Sequence, residues 1–552
     1  MNNKNHSKQL PLSVDVIVVG NGPVGATLAA LLGRYGIKAL VLDKSHDVLL
    51  MPRAIALDNE ALRILQLAGL AEDAFEKIVI PEVRMRSTVI GQFSRANTSG
   101  SLDGHPKLVT FYQPDLEHAM RAQYASFESV TSLGGMELEG LVEEEGGVTA
   151  SIMGDDGQTH RVHTKYLVGA DGASSKVRTL IGQDFQGCTY AEDWLIVDAC
   201  DRLQTAINHV EFLCDPQRPT PHMPAPGGRE RWEFMLQPGE KREDMENAEN
   251  VAKLLARWSP AKEVKIERKA VYRFHARCCQ SFQKGRVFLV GDAAHITPPF
   301  VGQGLVAGLR DVANLAWKLT WVLRGQASNA VLNSYDLERR PHAQKMINMA
   351  KFMGRLVMPR NKIAAFFIHG VMRSLTLTPT TRRFFEELDI KPKNIFKNGL
   401  FLRHRRGDKL VRGGLFPQAW VRDSKQHTRL SDDSLGDGLT LIGFGVDPRA
   451  VLDQHHRDLW ASVGGDFLQI CPHGQCRENT PNFLEDLNNA FLPLAVKGTL
   501  VVVRPDRIIM HHGPGDQGAK LIQECVGMLG NIPGSNIENL SSRMNESARL
   551  SV

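Results

Sequence analysis

Short, wholly apolar runs punctuate the chain, and each is followed by glycine or polar residues. Val16 to Val19 is an unbroken β-branched run, the pattern of a strand buried on both faces. The stretch after it, "GNGPVGATLAALLGRYG", predicts a glycine-rich turn opening into a helix. A second apolar run, Ala39 to Leu42, predicts another strand, ending at Asp43. The pattern returns at "VFLVGDAAHITPPFVGQG", Val287 to Gly304. Here a strand empties into Gly291 and Asp292, two prolines follow, and Gly302 to Gly304 start a long helix, "LVAGLRDVANLAWKLTWVLRG". Between these segments, about 81–111 and 186–279 read as strand-rich, and 346–409 as a helical connector with solvated basic surfaces at Arg382, Arg383 and "RHRR", Arg403 to Arg406. From about Leu410 the texture changes. "TLIGFG", "DFLQIC" and "TLVVVRPD" predict short strands of a compact α/β unit over 410–530. Residues 1–13 and 531–552 are polar tails, the second expected to be mobile.

Composition narrows the class. At 552 residues the chain exceeds one compact domain. Its 42% hydrophobic and 23% charged residues are ordinary for a globular protein. No apolar run is long enough for a bilayer, and the first residues lack the apolar core of a secretory signal. Eight cysteines then suggest reduced thiols and a cytoplasmic location, with no membrane partner. Cys471 and Cys476 bracket "CPHGQC", which is not a C-x-x-C redox pair. The net charge of +5 suits anionic cofactors and substrates but is too dispersed to point to nucleic acid. No metal site is expected.

Gly20, Gly22 and Gly25 form G-x-G-x-x-G, with Pro23 and Val24 between the last two glycines. The first glycine allows the tight turn, the second a close backbone approach to a pyrophosphate, and the third close helix–strand packing. The helix N-terminus faces the phosphates. Asp43, beside Lys44, stands where a carboxylate binds ribose hydroxyls. Strand, turn, helix, strand and acid in order point to a dinucleotide, without choosing between FAD and NAD(P). The later segment favours FAD, because Asp292 is placed to accept from ribityl hydroxyls. The helix start at Gly302, Gln303 and Gly304 can stabilise a reduced, anionic flavin.

With these motifs in this order, the chain resembles the group A flavoprotein monooxygenases, the aromatic hydroxylases. The third motif is "DGASSKVR", which matches D-G-x-x-S-x-x-R through Asp171, Gly172, Ser175 and Arg178. The resemblance implies a p-hydroxybenzoate hydroxylase-like α/β fold. A Rossmann-like FAD domain (14–345, discontinuous as about 14–80, 112–185 and 280–345) would be interleaved with the substrate-binding sheet. A thioredoxin-like domain without redox cysteines would follow. The resemblance also implies that Asp171 and Gly172 lie near the pyrophosphate, Arg53 near the flavin and Gln113 on the FAD backbone. "LCDPQRP", "RWEFMLQPGE" and "VVVRPDRII" place the chain nearest the 3-(3-hydroxyphenyl)propionate hydroxylase branch. The implied reaction uses NADH or NADPH to reduce FAD. O2 then forms a flavin C4a-hydroperoxide, which hydroxylates a phenolic acid. Activating a phenol of pKa near 10 needs a hydrogen bond or a base. The carbonyls of Pro298 or Pro299, Tyr272 and His275 are the candidates, and Arg218, Arg229 or Arg231 could meet a substrate carboxylate. Val306 stands where the family carries an Asn, which bears on flavin tuning. A larger phenol or polyketide as substrate, Baeyer–Villiger chemistry and a non-catalytic flavin-binding role are the alternatives. Homodimerisation is a further expectation.

Overall fold

The computed structural model describes residues 10–200, 207–258, 265–387, 391–403, 407–475, 482–491 and 493–530. Cys476, His404 to Arg406 and the segments 1–9 and 531–552 lie outside these. The chain forms two compact units, one of residues 1–30, 38–309 and 343–393, the other of 31–37, 310–342 and 394–552. These are not the boundaries that motif order suggests: most of the helical connector joins the first unit, and 310–342 joins the second.

The first sheet of the first unit grows from the N-terminal pattern. Strand Ser13–Val19 lies between Ala39–Leu42 and Thr159–Gly169, parallel to both. Val16, Ile17 and Val18 are wholly buried, as their β-branched run requires. Helix Pro23–Arg34 connects the first strand to the second. Strand Val287–Leu289 pairs in parallel with the end of Thr159–Gly169. Val19 registers with Gly169, and Gly169 with Leu289. Three loops, starting at Gly20, Ala170 and Val290, therefore leave the sheet side by side at its carboxyl end, where open α/β sheets bind ligands.

The second sheet has eight strands in the order His295–Ile296, Lys265–Cys279, Phe185–Cys200, Arg229–Met235, Thr220–Ala225, Val210–Cys214, Glu82–Ser87 and Gly91–Asn97. Strand alternation divides its side chains. Leu195, Val197, Trp232, Phe234 and Val271 bury one face against Met245, Val251 and Leu255 of two short helices. Trp194, Ile196, Met235, Tyr272 and Phe274 line the other face with Phe300 and with Leu356 and Val357.

In the second unit, seven strands run Thr428–Leu430, Trp420–Asp423, Phe483–Asp486, Gly465–Pro472, Leu439–Phe444, Thr499–Val503 and Ile509–Pro514. The middle is a β-α-β unit, Leu439–Phe444, helix Gln454–Ser462 and Gly465–Pro472, with parallel strands. The antiparallel pair Thr499–Val503 and Ile509–Pro514 then leads into helix Gly518–Leu529. Phe416, Ile442, Phe444, Phe491 and Val501 fill this core. Residues 310–342 bring a buried charge cluster to the same unit. Glu338 accepts from both terminal nitrogens of Arg504 at 2.7 and 2.9 Å, and from Lys318 and Asn314 at 2.8 and 2.6 Å. Asp311 pairs with Arg339 at 2.9 Å.

Candidate cofactor and substrate site

The three glycines of the first turn occupy different surroundings. Gly20 has φ of +103°, and a Cβ there would meet the Ala170 carbonyl oxygen at 2.5 Å. A Cβ at Gly25 would meet the Gly20 carbonyl oxygen at 1.9 Å. A Cβ at Gly22 would meet nothing within 4 Å. Two glycines thus let protein approach protein, and the middle one leaves open space for a ligand. Pro23 opens the helix and Val24 packs against Gly291 and Gly308. The Asn21 N–H donates to Asp43 Oδ2 at 2.7 Å, and the Ser45 N–H to Asp43 Oδ1 at 2.8 Å. Asp43 therefore fixes the turn and keeps lone pairs for hydroxyl donors. The Lys44 side chain is exposed. Arg121 donates to the Asn21 carbonyl at 3.1 Å, while its buried Nε has no protein partner among the described residues.

Asp292 is the site's uncommitted carboxylate. It makes no side-chain hydrogen bond to the protein among the described residues. Burial raises its pKa, and the charges of His295 and Arg53 pull it back. The turn that carries it is clamped from the second motif. Arg178 donates to the Ala293 carbonyl at 3.1 Å and to the Ala173 carbonyl at 2.9 Å. Asp171 accepts from Ser175 Oγ and, at 2.8 and 3.1 Å, from the N–H groups of Lys176 and Val177. Ser175 is the N-cap of a short helix, Lys176–Leu180, that carries Arg178, and Asp171 takes the helix's first two N–H groups. Burial raises the Asp171 pKa against these bonds. Gly172, φ +78°, leaves its Cβ position open. Gly291 and Gly308 approach so closely that a Cβ on Gly308 would lie 3.0 Å from the Gly291 Cα.

Other candidates hold protein rather than open space. Gln113 Oε1 accepts from the N–H groups of Arg53 and Ala54 at 2.8 and 2.7 Å, and its Nε2 donates to Glu117 at 2.7 Å. The Arg53 side chain itself is exposed. Gln303 is buried and donates to Asp58 at 3.0 Å. Gly302, φ +60°, ends the turn Pro299–Val301, and Gly304 starts the helix Gly304–Leu323. The Pro299 carbonyl accepts from the Gly302 N–H at 2.9 Å; Pro298 is buried just before it. Val306 is wholly buried and its side chain offers no polar atom.

The face of the second sheet that meets Phe300 is aromatic. Trp194 and Phe274 stack at 5.2 Å, and Phe300 meets each edge-on at 5.8 Å. Two buried polar atoms here, Trp194 Nε1 and Thr297 Oγ1, have no protein partner among the described residues. Tyr272 belongs to this face and accepts from Arg268 at 2.6 Å. His275, three residues along the same strand, falls on the opposite face. It bonds Thr189 at 3.0 Å, and burial and the charges of Arg277 and Arg273 lower its pKa. Alternation thus separates two residues that sequence proximity grouped. The three arginines considered for a substrate carboxylate are already paired: Arg218 with Glu240, Arg229 with Glu267 and Arg231 with Asp198. Arg231 also donates to the carbonyls of Pro52 and Arg53, both at 2.9 Å, so it fixes the same loop that Gln113 holds.

Sequence reasoning passed over Arg121, Gly308 and Glu233. Arg121 closes "FYQPDLEHAMR", and its spacing of eight from Gln113 was a helical signal. Glu233 sits in "RERWEFM", where Arg231, Glu233 and Met235 alternate with apolar Trp232 and Phe234. Among the described residues no cluster of His, Cys, Asp and Glu could hold a metal ion, and no helix is long and apolar enough to cross a membrane.

An FAD binding domain family model matches residues 13–350, and an HcaD C-terminal domain model matches 413–527. A 3-(3-hydroxy-phenyl)propionate/3-hydroxycinnamic acid hydroxylase of Burkholderia vietnamiensis is 34% identical, covering 90% of this chain and 92% of the relative. A protein of the same name from Mycolicibacterium smegmatis is also 34% identical, covering 94% of each. The flavin-dependent monooxygenase PieE, solved with FAD and substrate, aligns at TM-score 0.79 and 21% identity over 95% of this chain and 100% of its own. Aklavinone-11 hydroxylase, solved with FAD and aklavinone, aligns at TM-score 0.74 and 22% identity over 94% of this chain and 100% of its own.

Proposed function

The chain belongs to the FAD binding domain family, among its aromatic hydroxylases, and from this premise we propose how its own residues serve the reaction. It is an FAD-dependent monooxygenase that uses NAD(P)H and O2 to hydroxylate a phenolic acid. We assign the substrate to 3-(3-hydroxyphenyl)propionate or a close relative, on the strength of the relatives' names. Bound FAD supplies electrons from NAD(P)H and an electrophilic oxygen from O2. The open space at Gly22 and the start of helix Pro23–Arg34 suit the pyrophosphate, with Arg121 adding a positive charge. Asp43 suits ribose hydroxyls and Asp292 the ribityl chain.

The single observation that carries the assignment is Asp292, a half-buried carboxylate with no protein donor among the described residues. A charge so placed is costly unless a ligand donates to it. Gln113, Arg231 and Arg178 position the loops that carry Arg53 and Asp292. The aromatic face of Trp194, Phe274 and Phe300 excludes water from the reacting ring. Trp194 Nε1 and Thr297 Oγ1 are free to orient it. We read the C-terminal β-α-β and β-β-α arrangement as thioredoxin-like and without redox function; the strand order supports this. Dimerisation belongs to the same proposal, and light scattering tests it.

The test begins with the flavin spectrum of the purified protein. NADH and NADPH oxidation is then followed with and without 3-(3-hydroxyphenyl)propionate. Stimulated oxidation with a product one oxygen heavier is the expected result. Bound flavin with no stimulation by this phenol would reject the substrate assignment.

A further inference from the structure

Glu233 stands out among the groups with no part in holding the cofactor loops. It lies in the middle of the second sheet, on the face lined by Trp194, Ile196, Met235 and Tyr272. In register, Ile196 pairs with Glu233 on one side and with Ala270 on the other. His222 pairs with Trp232, which brings Pro221 beside Glu233, and Phe212 and Met85 continue the row. A carboxylate therefore interrupts an otherwise apolar row facing the aromatic cluster. It is 8% exposed, and no protein group among the described residues donates a hydrogen bond to it.

The neighbouring row explains why Glu233 stays unpaired. Asp198 takes Arg231 through two bonds, at 2.6 and 2.9 Å, and Arg268 at 3.1 Å. Their other bonds go to the carbonyls of Pro52 and Arg53 and to the Tyr272 hydroxyl, while the buried Arg268 Nε has no protein partner among the described residues. Both guanidinium groups are therefore committed to one carboxylate and to the cofactor-side loop. A structural ion pair would have spread over both acids. Here one acid is saturated and the other, on the face of Trp194, Ile196 and Tyr272, has no protein donor among the described residues.

On the hydroxylase reading, we propose that Glu233 is the base that takes the phenolic proton of the substrate as the ring is oxygenated. The phenol O–H bond breaks, its electron pair stays on the phenol oxygen, and a new O–H bond forms on the Glu233 carboxylate. Nothing is oxidised or reduced in this step, and the proton returns to solvent when product leaves. Chemistry supports the placement. The ring is activated toward an electrophilic oxygen only as its proton departs, and a general base is most effective with a pKa near the working pH. Burial pushes Glu233 up to about 7, with Arg231 and Arg268 pulling down and Asp198 pushing up. Beyond Asp198, Arg231 and Arg268, the titratable groups of this face are Tyr190 and Cys214, both held above their ordinary values by burial, and the phenol hydroxyl of Tyr272. It already accepts from Arg268.

The test compares wild type with Glu233→Gln and Glu233→Asp, all loaded with FAD. Product from 3-(3-hydroxyphenyl)propionate is measured against pH, beside flavin content and NAD(P)H oxidation. Wild-type hydroxylation should rise through a limb near pH 7, because the base must be ionised. Glu233→Gln should keep its flavin, lose about 100-fold in hydroxylation and lose the limb. A ring-fluorinated substrate, a stronger acid, should restore much of the rate, and Glu233→Asp should fall between. Independently of turnover, the infrared spectrum of the protein should show a carboxyl band titrating near pH 7 that is absent from Glu233→Gln. An unchanged limb and rate in Glu233→Gln would overturn the base role, as would the absence of that band. A wild type that binds flavin but hydroxylates no phenol of this series would overturn the substrate reading and the base role with it.

Discussion

Asp292 and the glycines around it answer to single atoms. Replacing Asp292 by Ala removes the acceptor of charge-assisted hydrogen bonds worth about 1.5–3 kcal/mol each, so FAD should be lost on gel filtration. Flavin retained at wild-type level would reject its role. Gly308→Ala tests close packing instead. Its methyl group would enter the space between the Gly291 Cα and Val24, so the Asp292 turn should shift and FAD affinity fall, read by flavin fluorescence titration. The sequence made some of these residues legible and hid others. Gly20, Gly22 and Gly25 could be read because a fixed turn demands them at fixed spacing. Gly308 lacked such a motif, since its reason is a neighbour 17 residues earlier in the chain. Glu233 looked like any charged residue of a strand until the register showed that both faces of that strand are covered.

Elements matter here through the side chains that tie one to another. Arg178 joins the short helix Lys176–Leu180 to the turn after Val287–Leu289. Arg178→Met should weaken FAD binding without a new cavity, because the Ala293 carbonyl loses its clamp. Equilibrium dialysis of FAD measures the effect, and an unchanged dissociation constant would sink the clamp. The long helix, the paired strands and the C-terminal strands were visible in apolar periodicity. What the sequence could not display was the direction of individual side chains within them. Gln113 turned inward to the 53–54 backbone, and Tyr272 and His275 parted across a sheet. Those outcomes depend on partners supplied by distant strands.

At the scale of the whole molecule, buried charge should set acid tolerance. In the second unit, Arg504 and Lys318 hold the Glu338 carboxyl well below its ordinary 4.5, despite burial. A carboxyl depressed on folding contributes stability that is complete above its unfolded value and is lost as pH falls toward its folded one. Thermal stability should therefore fall steadily below about pH 4.5 in this unit. Glu338→Gln should be destabilised at pH 7 by about 3–5 kcal/mol and show a flatter acid limb in calorimetry. The first unit has a different vulnerability, rooted in the three parallel strands whose ends carry the cofactor loops. Gly20 and Asp292 are about 270 residues apart in the chain, and a ribosome adds about 5–20 residues per second. The glycine turn thus emerges on the order of tens of seconds before the segment that completes its site. For about the first 150 residues of that interval Ser13–Val19 waits without Thr159–Gly169 as its neighbour, an apolar strand with an open edge. Cofactor capture must come late in synthesis, so flavin cannot protect that edge while the strand waits.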